Sequence, residues 1–453
     1  MNRHPELLIS PFPKHGVPEP RSVRPRPHRA RTLRYCRTIP AVILATALLW
    51  MPPSVQAADE TPHPLQHINT AFENASPLWW EVDAAGVVHV HLVYDQERSA
   101  PNRANGHWNF RIDAEPGADL TILLGPFANI YNGKLGTAVR EPATTFVSDD
   151  GKAWRPVKME YVEPDHRRLQ VHMNGPTLHV ARLQPYGLSD LEKLKADIAG
   201  QALVEITPIG QTVEGRELEM IRVGAPEAPH RVLIRARAHP WEPGGNWVLE
   251  GLIRRLLRGD AETQQWRAVY SLSVLPMANK DGVARGRTRF NMNGKDLNRD
   301  WLQPADPALA PENAALEQWL ETMLARGQRP DLAIDFHNDA YGNLHLPAAV
   351  NEDPRGEACL RELKRFEGLL REHTWFTEGA STGISPTIAG GLVHRYGIPA
   401  CIHELNADWI AGLEDFPSAA HWSQYGEQLG AVFYWYFGEE RKPAGQPQPE
   451  PAP

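Results

Sequence analysis

From residue 64 to about residue 185, apolar and polar positions alternate in short stretches broken by turn residues. "GVVHVHLVYD" (86–95) alternates strictly, "HWNFRI" and "DLTILLGPF" follow, and "VSDDGKAW" carries a hairpin turn at Asp150–Gly151. "RRLQVHMNGPTLHVARL" (167–183) reads as a further strand–turn–strand pair. Many short strands without an intervening helix predict a smaller antiparallel β-sandwich domain over 64–187. Near residue 188 the period changes. "LSDLEKLKADI" places apolar residues at helical spacing, with Ser189 as the cap and Glu192 three residues later. From there to about 438 strands and helices alternate: "RVLIRARA", "NWVLEGLIRRLL", "YSLSVLPM", "AALEQWLETML", "DLAIDF", "LRELKRFEGLLREH", "PACIHEL" and a closing helix near "YGEQLGAVFYWYF". That alternation predicts an α/β fold over 188–438, a mixed, mostly parallel sheet flanked by helices. Residues 439–453, ending "KPAGQPQPEPAP", read as a disordered proline-rich tail.

Composition refines this without changing it. The chain has 453 residues, 42% hydrophobic and 23% charged, a globular balance long enough for two or three domains. Its longest apolar run, "TIPAVILATALLWM" (38–51), is shorter than the roughly 20 residues of a membrane span. Arg29, Arg31, Arg34 and Arg37 precede it, and small residues at Val55 and Ala57 follow. This order predicts an export signal with a basic lead over 1–57, cut after Ala57, and a secreted or periplasmic product with no membrane span once the signal is removed. Residues 1–57 carry nine Lys/Arg and two Asp/Glu, net +7, so a chain of formal charge −8 leaves −15 on the remainder. An acidic surface argues against nucleic acid as a partner. Cys359 and Cys401 remain after the signal is lost and read either as a disulfide or as two buried thiols. Nothing in the pattern fixes an oligomeric state.

Candidate chemistry gathers where strands of the α/β region end, the edge at which such sheets bind ligands. His239 and Glu242 follow "RVLIRARA", His337 follows "DLAIDF", and Glu404 closes "PACIH". "NKDG" (279–282) follows "YSLSVLPM" and leads into "RGRTRFNMNGKDLNRDW". Two imidazoles and a carboxylate give zinc three ligands and leave a fourth position open. A carboxylate outside the ligand set, Glu404, suits a general base that takes a proton from water and returns it to a leaving amine. Arg287 or Arg289 can face an oxyanion, and the planar fork of Arg299 suits a carboxylate. His89 and His91 share a strand face without a third ligand nearby, which reads as a solvated face.

Together "HPWE", "NKDG…GKDLNRDW", the histidine after "DLAIDF" and the late Glu404 resemble the zinc carboxypeptidases of the funnelin, or carboxypeptidase A-like, group. Within it the chain is most similar to the cytosolic-carboxypeptidase branch and its bacterial relatives, which place a β-sandwich before the catalytic domain. The resemblance covers roughly residues 70–435. It implies one Zn2+ per chain held by His239, Glu242 and His337, with Glu404 as general acid/base and Arg289 polarising the scissile carbonyl. It further implies that Asn298 and Arg299 hold the substrate's terminal carboxylate and that Asp296 orients the first zinc histidine. The implied partner is a peptide with a free C-terminus. Two features depart from the pattern. Trp241 stands where most of the branch has glycine, and the loop around Pro386–Thr387 lacks the family's substrate-capping tyrosine, with His394 and Tyr396 as shifted substitutes. An N-acyl amino acid deacylase of the aspartoacylase type shares the ligand pattern but carries its β domain after the catalytic one. A non-catalytic zinc-dependent peptide-binding module would have no use for Glu404.

Overall fold

The computed structural model describes residues 63–438 except 138, 141–142 and 350–352. The expected export segment and proline-rich tail lie outside the described residues. The alternating stretches of the first half form two five-stranded sheets. One runs Leu65–Asn69, Asn109–Ala114, Thr177–Ala181, Thr144–Ser148, Arg155–Lys158; the other runs Glu160–Val162, His166–His172, Asp119–Gly125, Val88–Leu92, Leu78–Val82. Pairing is antiparallel except between Val88–Leu92 and Asp119–Gly125. The inward residues of both sheets, among them Val88, Val90, Phe110, Ile122, Leu169, Val171, Leu178 and Val180, share one apolar core, as the period-2 pattern requires.

Residues 167–183 depart from the expected pairing. Both strands form, but His166–His172 and Thr177–Ala181 belong to opposite sheets. Leu169 and Val171 on one and Leu178 and Val180 on the other all point into the space between the sheets, so the turn crosses the sandwich instead of closing a hairpin. A small four-stranded sheet, Asp95–Gln96, Arg103–Ala104, Ala128–Tyr131, Lys134–Thr137, completes this β-rich region.

The second half builds an eight-stranded mixed sheet in the order Val204–Gln211, Glu217–Val223, Tyr270–Leu275, His230–Ala236, Leu332–Asp339, Ala400–Asn406, Leu344–Pro347, Ala380–Gly383. Its four central strands are parallel to one another. Helices Gly244–Leu256, Pro354–His373 and Ala419–Gly438 pack on one face, and Pro311–Ala325 and Ile388–Tyr396 on the other. Burial on both faces explains why Tyr270–Leu275 is buried along its whole length.

The helix Leu188–Ile198 forms as its period predicts, but Gly187, not Ser189, caps it. The Asp190 carboxylate accepts the Gly187 N–H at 2.7 Å, and the Glu73 carboxylate, from the β-rich region, accepts the Ser189 N–H at 3.1 Å. A tertiary contact therefore does the work assigned to the Ser189 hydroxyl. Other bonds join the same two regions. The buried Asp95 carboxylate accepts the Thr288 and Arg289 N–H groups at 2.8 and 2.7 Å, and Thr288 Oγ1 accepts the His107 N–H at 3.3 Å; within the β-rich region, His107 Nε2 donates to the Asn74 carbonyl at 3.0 Å. Asn74 Nδ2 in turn donates to Val283 O at 2.9 Å.

Candidate metal centre

The loop carrying His239 and Glu242 runs from the strand His230–Ala236 into the helix Gly244–Leu256. It begins at Arg237, which sits at φ +61°, a left-handed conformation costing a non-glycine residue about 1–2 kcal/mol. Its surroundings hold it there. Arg237 Nε donates to Pro240 O at 2.7 Å and Nη1 to Asn246 Oδ1 at 2.9 Å. The Asn279 N–H bonds the Arg237 carbonyl at 3.0 Å. Gly244 lets the chain turn against the next strand, since a Cβ there would lie 2.7 Å from Asn338 Nδ2. Asn338 accepts the Gly244 N–H at 2.9 Å and donates to Leu405 O at 2.9 Å, tying the start of the helix to two strand ends.

His337 and Glu404 lie inside their strands, Leu332–Asp339 and Ala400–Asn406, each about two residues longer than the apolar runs suggest. The parallel register sets His337 beside Glu404 and Asp335 beside Ile402. On the other side Arg235 faces Asp335.

Three ligand-type groups converge. His239 Nδ1 lies 3.1 Å from His337 Nδ1, and the Glu242 carboxylate reaches both, with Oε1 at 2.8 Å from His239 Nδ1 and Oε2 at 2.7 Å from His337 Nδ1. All three side chains are buried. The opposite ring nitrogens face carboxylates: His239 Nε2 is 3.1 Å from Asp296 Oδ1 and His337 Nε2 is 2.7 Å from Asp335 Oδ2. Protons on the two Nε2 atoms satisfy those carboxylates and leave both Nδ1 lone pairs aimed at each other and at a carboxylate. Four lone-pair sites so arranged repel unless a cation lies among them. Donor atoms on a tetrahedral zinc with bonds of about 2.0–2.1 Å stand roughly 3.3 Å apart, close to the spacing seen. Two imidazoles and one carboxylate are also the donor set that zinc accepts.

Electrostatics supports a charged cluster. Burial works to raise the Glu242 carboxyl, but His239 and His337 outweigh it and hold it down at about 2. Asp296 likewise resists burial and is held well below the usual carboxylate range, chiefly by Arg289 and His239. Arg235, buried, grips Asp335 with two bonds of 2.8 and 2.6 Å, fixing the carboxylate that fixes His337.

These groups open into a cleft of about 510 Å3 whose lining includes His239, Trp241, Glu242, Arg289, Asn298, Arg299, His345 and Glu404. Arg289 donates from Nε to Asp296 Oδ2 at 2.8 Å. Of the two arginines considered for the oxyanion, Arg289 lines the cleft, whereas Arg287 turns to Asp95 at 3.5 Å. Arg299 donates only to the Asn298 carbonyl (2.8 Å) and has no carboxylate partner among the described residues. Asn298 Oδ1 is committed to the Ile388 N–H at 3.1 Å, whereas its Nδ2, 3.1 Å from the protonated Nε2 of His337, finds no acceptor there. Glu404 Oε2 has no hydrogen-bond partner. Burial and the neighbouring Asp339 charge push its carboxyl well above the usual range. Asp339, His345 and Glu404 offer ligand atoms within 4.8 Å of one another, with His345 Nδ1 also 2.7 Å from Ser381 Oγ.

Three further readings meet the structure with different outcomes. Neither His394 nor Tyr396 lines the cleft; the Tyr396 hydroxyl lies 3.3 Å from Glu321 on the outside of its helix. The tyrosines that line it are Tyr131, from the β-rich region, and Tyr341. Cys359 and Cys401 are both buried free thiols. His89 and His91 pair with Asp83 and Glu81 at 2.9 and 3.3 Å, in keeping with a solvated face. The pattern of residues alone missed Asp335, Arg235 and Tyr131.

Residues 191–340 match the zinc carboxypeptidase family model. Human cytosolic carboxypeptidase 4 is 33% identical over 135 residues, 30% of this chain and 12% of that protein. Zebrafish (Danio rerio) cytosolic carboxypeptidase 2 is 26% identical over 208 residues, 43% of this chain and 28% of that protein. The chain spans half or less of the length of these relatives, an uncharacterized Zymomonas mobilis protein included. The fold is shared with a metallo-carboxypeptidase from Burkholderia cenocepacia (TM-score 0.72, 18% identity, 83% of this chain and 99% of that one). It is shared also with a metallo-carboxypeptidase from Pseudomonas aeruginosa solved with (2-guanidinoethylmercapto)succinic acid (TM-score 0.69, 22% identity, 83% and 100%). The segment that matches the zinc carboxypeptidase family model, residues 191–340, is the one that holds the convergent His239, Glu242 and His337.

Proposed function

We propose that this protein is a zinc-dependent metallocarboxypeptidase that hydrolyses the C-terminal bond of peptides. The observation that carries the reading is the juxtaposition, at one cleft, of three converging lone-pair donors with an unbonded Glu404 oxygen and an Arg299 fork that has no acidic partner among the described residues. His239, Glu242 and His337 would hold one Zn2+, which when bound would supply Lewis acidity to an attacking water and to the scissile carbonyl. Glu404 accepts a proton from that water and delivers it to the departing amine. Its carboxyl is raised by burial and Asp339, and positive charge at the ligand cluster brings it back toward the ionised form a base requires. Arg289, fixed by Asp296, presents its guanidinium to the oxygen on which negative charge develops. Arg299, with the remaining reach of the Asn298 amide, clamps the terminal carboxylate and makes the enzyme an exopeptidase.

Glu404 also separates this reading from a peptide-binding module. The Glu404→Gln variant is expected to bind zinc as wild type does while kcat falls about 10²–10⁴-fold. Zinc content by plasma emission and release of C-terminal residues by mass spectrometry check both halves; a fully active variant rejects the assignment. Amidating the substrate's C-terminus is expected to abolish cleavage, and undiminished turnover of the amide would point to an endopeptidase. The reading includes export, argued from the order of residues 29–57. Mature protein recovered outside the cytoplasm is expected to begin at Ala58.

A further inference from the structure

Tyr131 ends the strand Ala128–Tyr131, which pairs with Lys134–Thr137 in a hairpin of the β-rich region. That hairpin borders the cleft, to which Tyr131 and Thr137 contribute beside Arg289 and Glu404. The Tyr131 hydroxyl oxygen accepts a hydrogen bond from Asn129 Nδ2 at 2.8 Å. The same Nδ2 faces the Asn105 carbonyl at 3.3 Å, which sets the amide's orientation, because its oxygen turned that way would meet another oxygen. The phenol's acceptor site is thus filled, while its own O–H proton has no acceptor among the described residues. Burial raises the phenol's pKa against the pull of Arg289, so the proton stays in place. The Arg289 guanidinium carbon lies 5.4 Å from the centre of the Tyr131 ring. Tyr131 and Arg289 both line the cleft, and Arg289, Glu242 and Asp296 are the charges that act on the phenol, so the hydroxyl lies near the ligand cluster.

We propose that Tyr131 is a substrate-contacting residue whose hydroxyl donates a hydrogen bond to the same peptide oxygen that Arg289 faces, so that the β-rich region completes the oxyanion site. The hydroxyl shares its proton without transferring it, and it rests on the carboxypeptidase reading above. A bond of this kind strengthens as charge develops on the oxygen, so its loss is felt in kcat more than in KM.

The test uses the zinc-loaded full chain with an equimolar library of N-acetylated tripeptides differing in the last residue, followed by kinetics on the best-cleaved member. Tyr131→Phe keeps the ring and loses only the hydroxyl; Tyr131→Leu loses both. The expected result for Tyr131→Phe is kcat down at least tenfold, KM within threefold, and zinc content and Tm as in wild type. A residue that merely props up Arg289 would leave Tyr131→Phe near wild type and penalise only Tyr131→Leu, and that outcome overturns the proposal. Activity lost together with zinc or with Tm overturns it as well. Wild type that binds zinc but cleaves nothing rejects the carboxypeptidase reading itself, whereas active wild type with Tyr131→Phe within twofold rejects the Tyr131 role alone.

Discussion

Each histidine of the metal centre depends on a carboxylate behind it, and the two carboxylates are buried to very different effect. Asp296 is shared with Arg289, which borders the cleft, whereas Asp335 is shared with Arg235, closed inside the sheet. Asp335→Asn leaves a buried guanidinium without its counter-charge. It is expected to cost about 3–5 kcal/mol in urea unfolding and to weaken zinc about 10–100-fold in a competition titration. Asp296→Asn should weaken zinc comparably while costing less stability, because Arg289 can turn to solvent; equal stability losses would contradict this account. His239, Glu242, His337 and Glu404 were legible in the sequence because polar residues at strand ends stand out against apolar runs. Asp335 and Arg235 sit within such runs. Their signal was available, since two charged residues in parallel strands buried on both faces must find each other, but register, which pairs them, is not written in either strand alone.

At the scale of elements, the strand–helix alternation fixed the α/β region and its ligand-bearing edge, while pairing and capping needed the third dimension. Residues 167–183 gave both strands correctly, yet the sheet each joins depends on which core its apolar face covers. The helix at 188 appeared where the period changed, though its cap comes from Glu73, more than a hundred residues earlier. Gly244 belongs to this scale too. It starts a helix within contact of the Asn338 amide, which itself bonds Gly244 and Leu405 and so has no room to yield. Gly244→Ala is expected to lose about 1–3 kcal/mol of stability through overpacking, with a parallel loss of zinc as the loop of His239 and Glu242 shifts. A stable, zinc-replete variant would mean that Asn338 does not hold the strand ends together.

For the whole molecule, the seam between the β-rich and α/β regions is polar and buried, and it answers to pH. Burial lowers the His107 imidazole from about 6.5 to about 4. Between those values the unfolded chain binds a proton that the folded chain refuses, so the associated stability, roughly 3 kcal/mol, is complete above pH 6.5 and drains away as pH falls toward 4. His107→Gln preserves a donor for the Asn74 carbonyl without a titrating ring. Unfolding midpoints measured at pH 7 and pH 4.5 should therefore fall less for the variant than for wild type; equal slopes would place the acid sensitivity elsewhere. The seam is also why Tyr131 was illegible: no local pattern announces that a hairpin tip will border a pocket built two hundred residues downstream. Asp95 makes the dependence plain. Its carboxylate holds the amides on which Arg289 hangs, so a protease nick that stripped away the leading third of the chain would not liberate a working core. The remnant would keep its metal ligands and lose the aim of its arginine, and metal content would cease to report on competence.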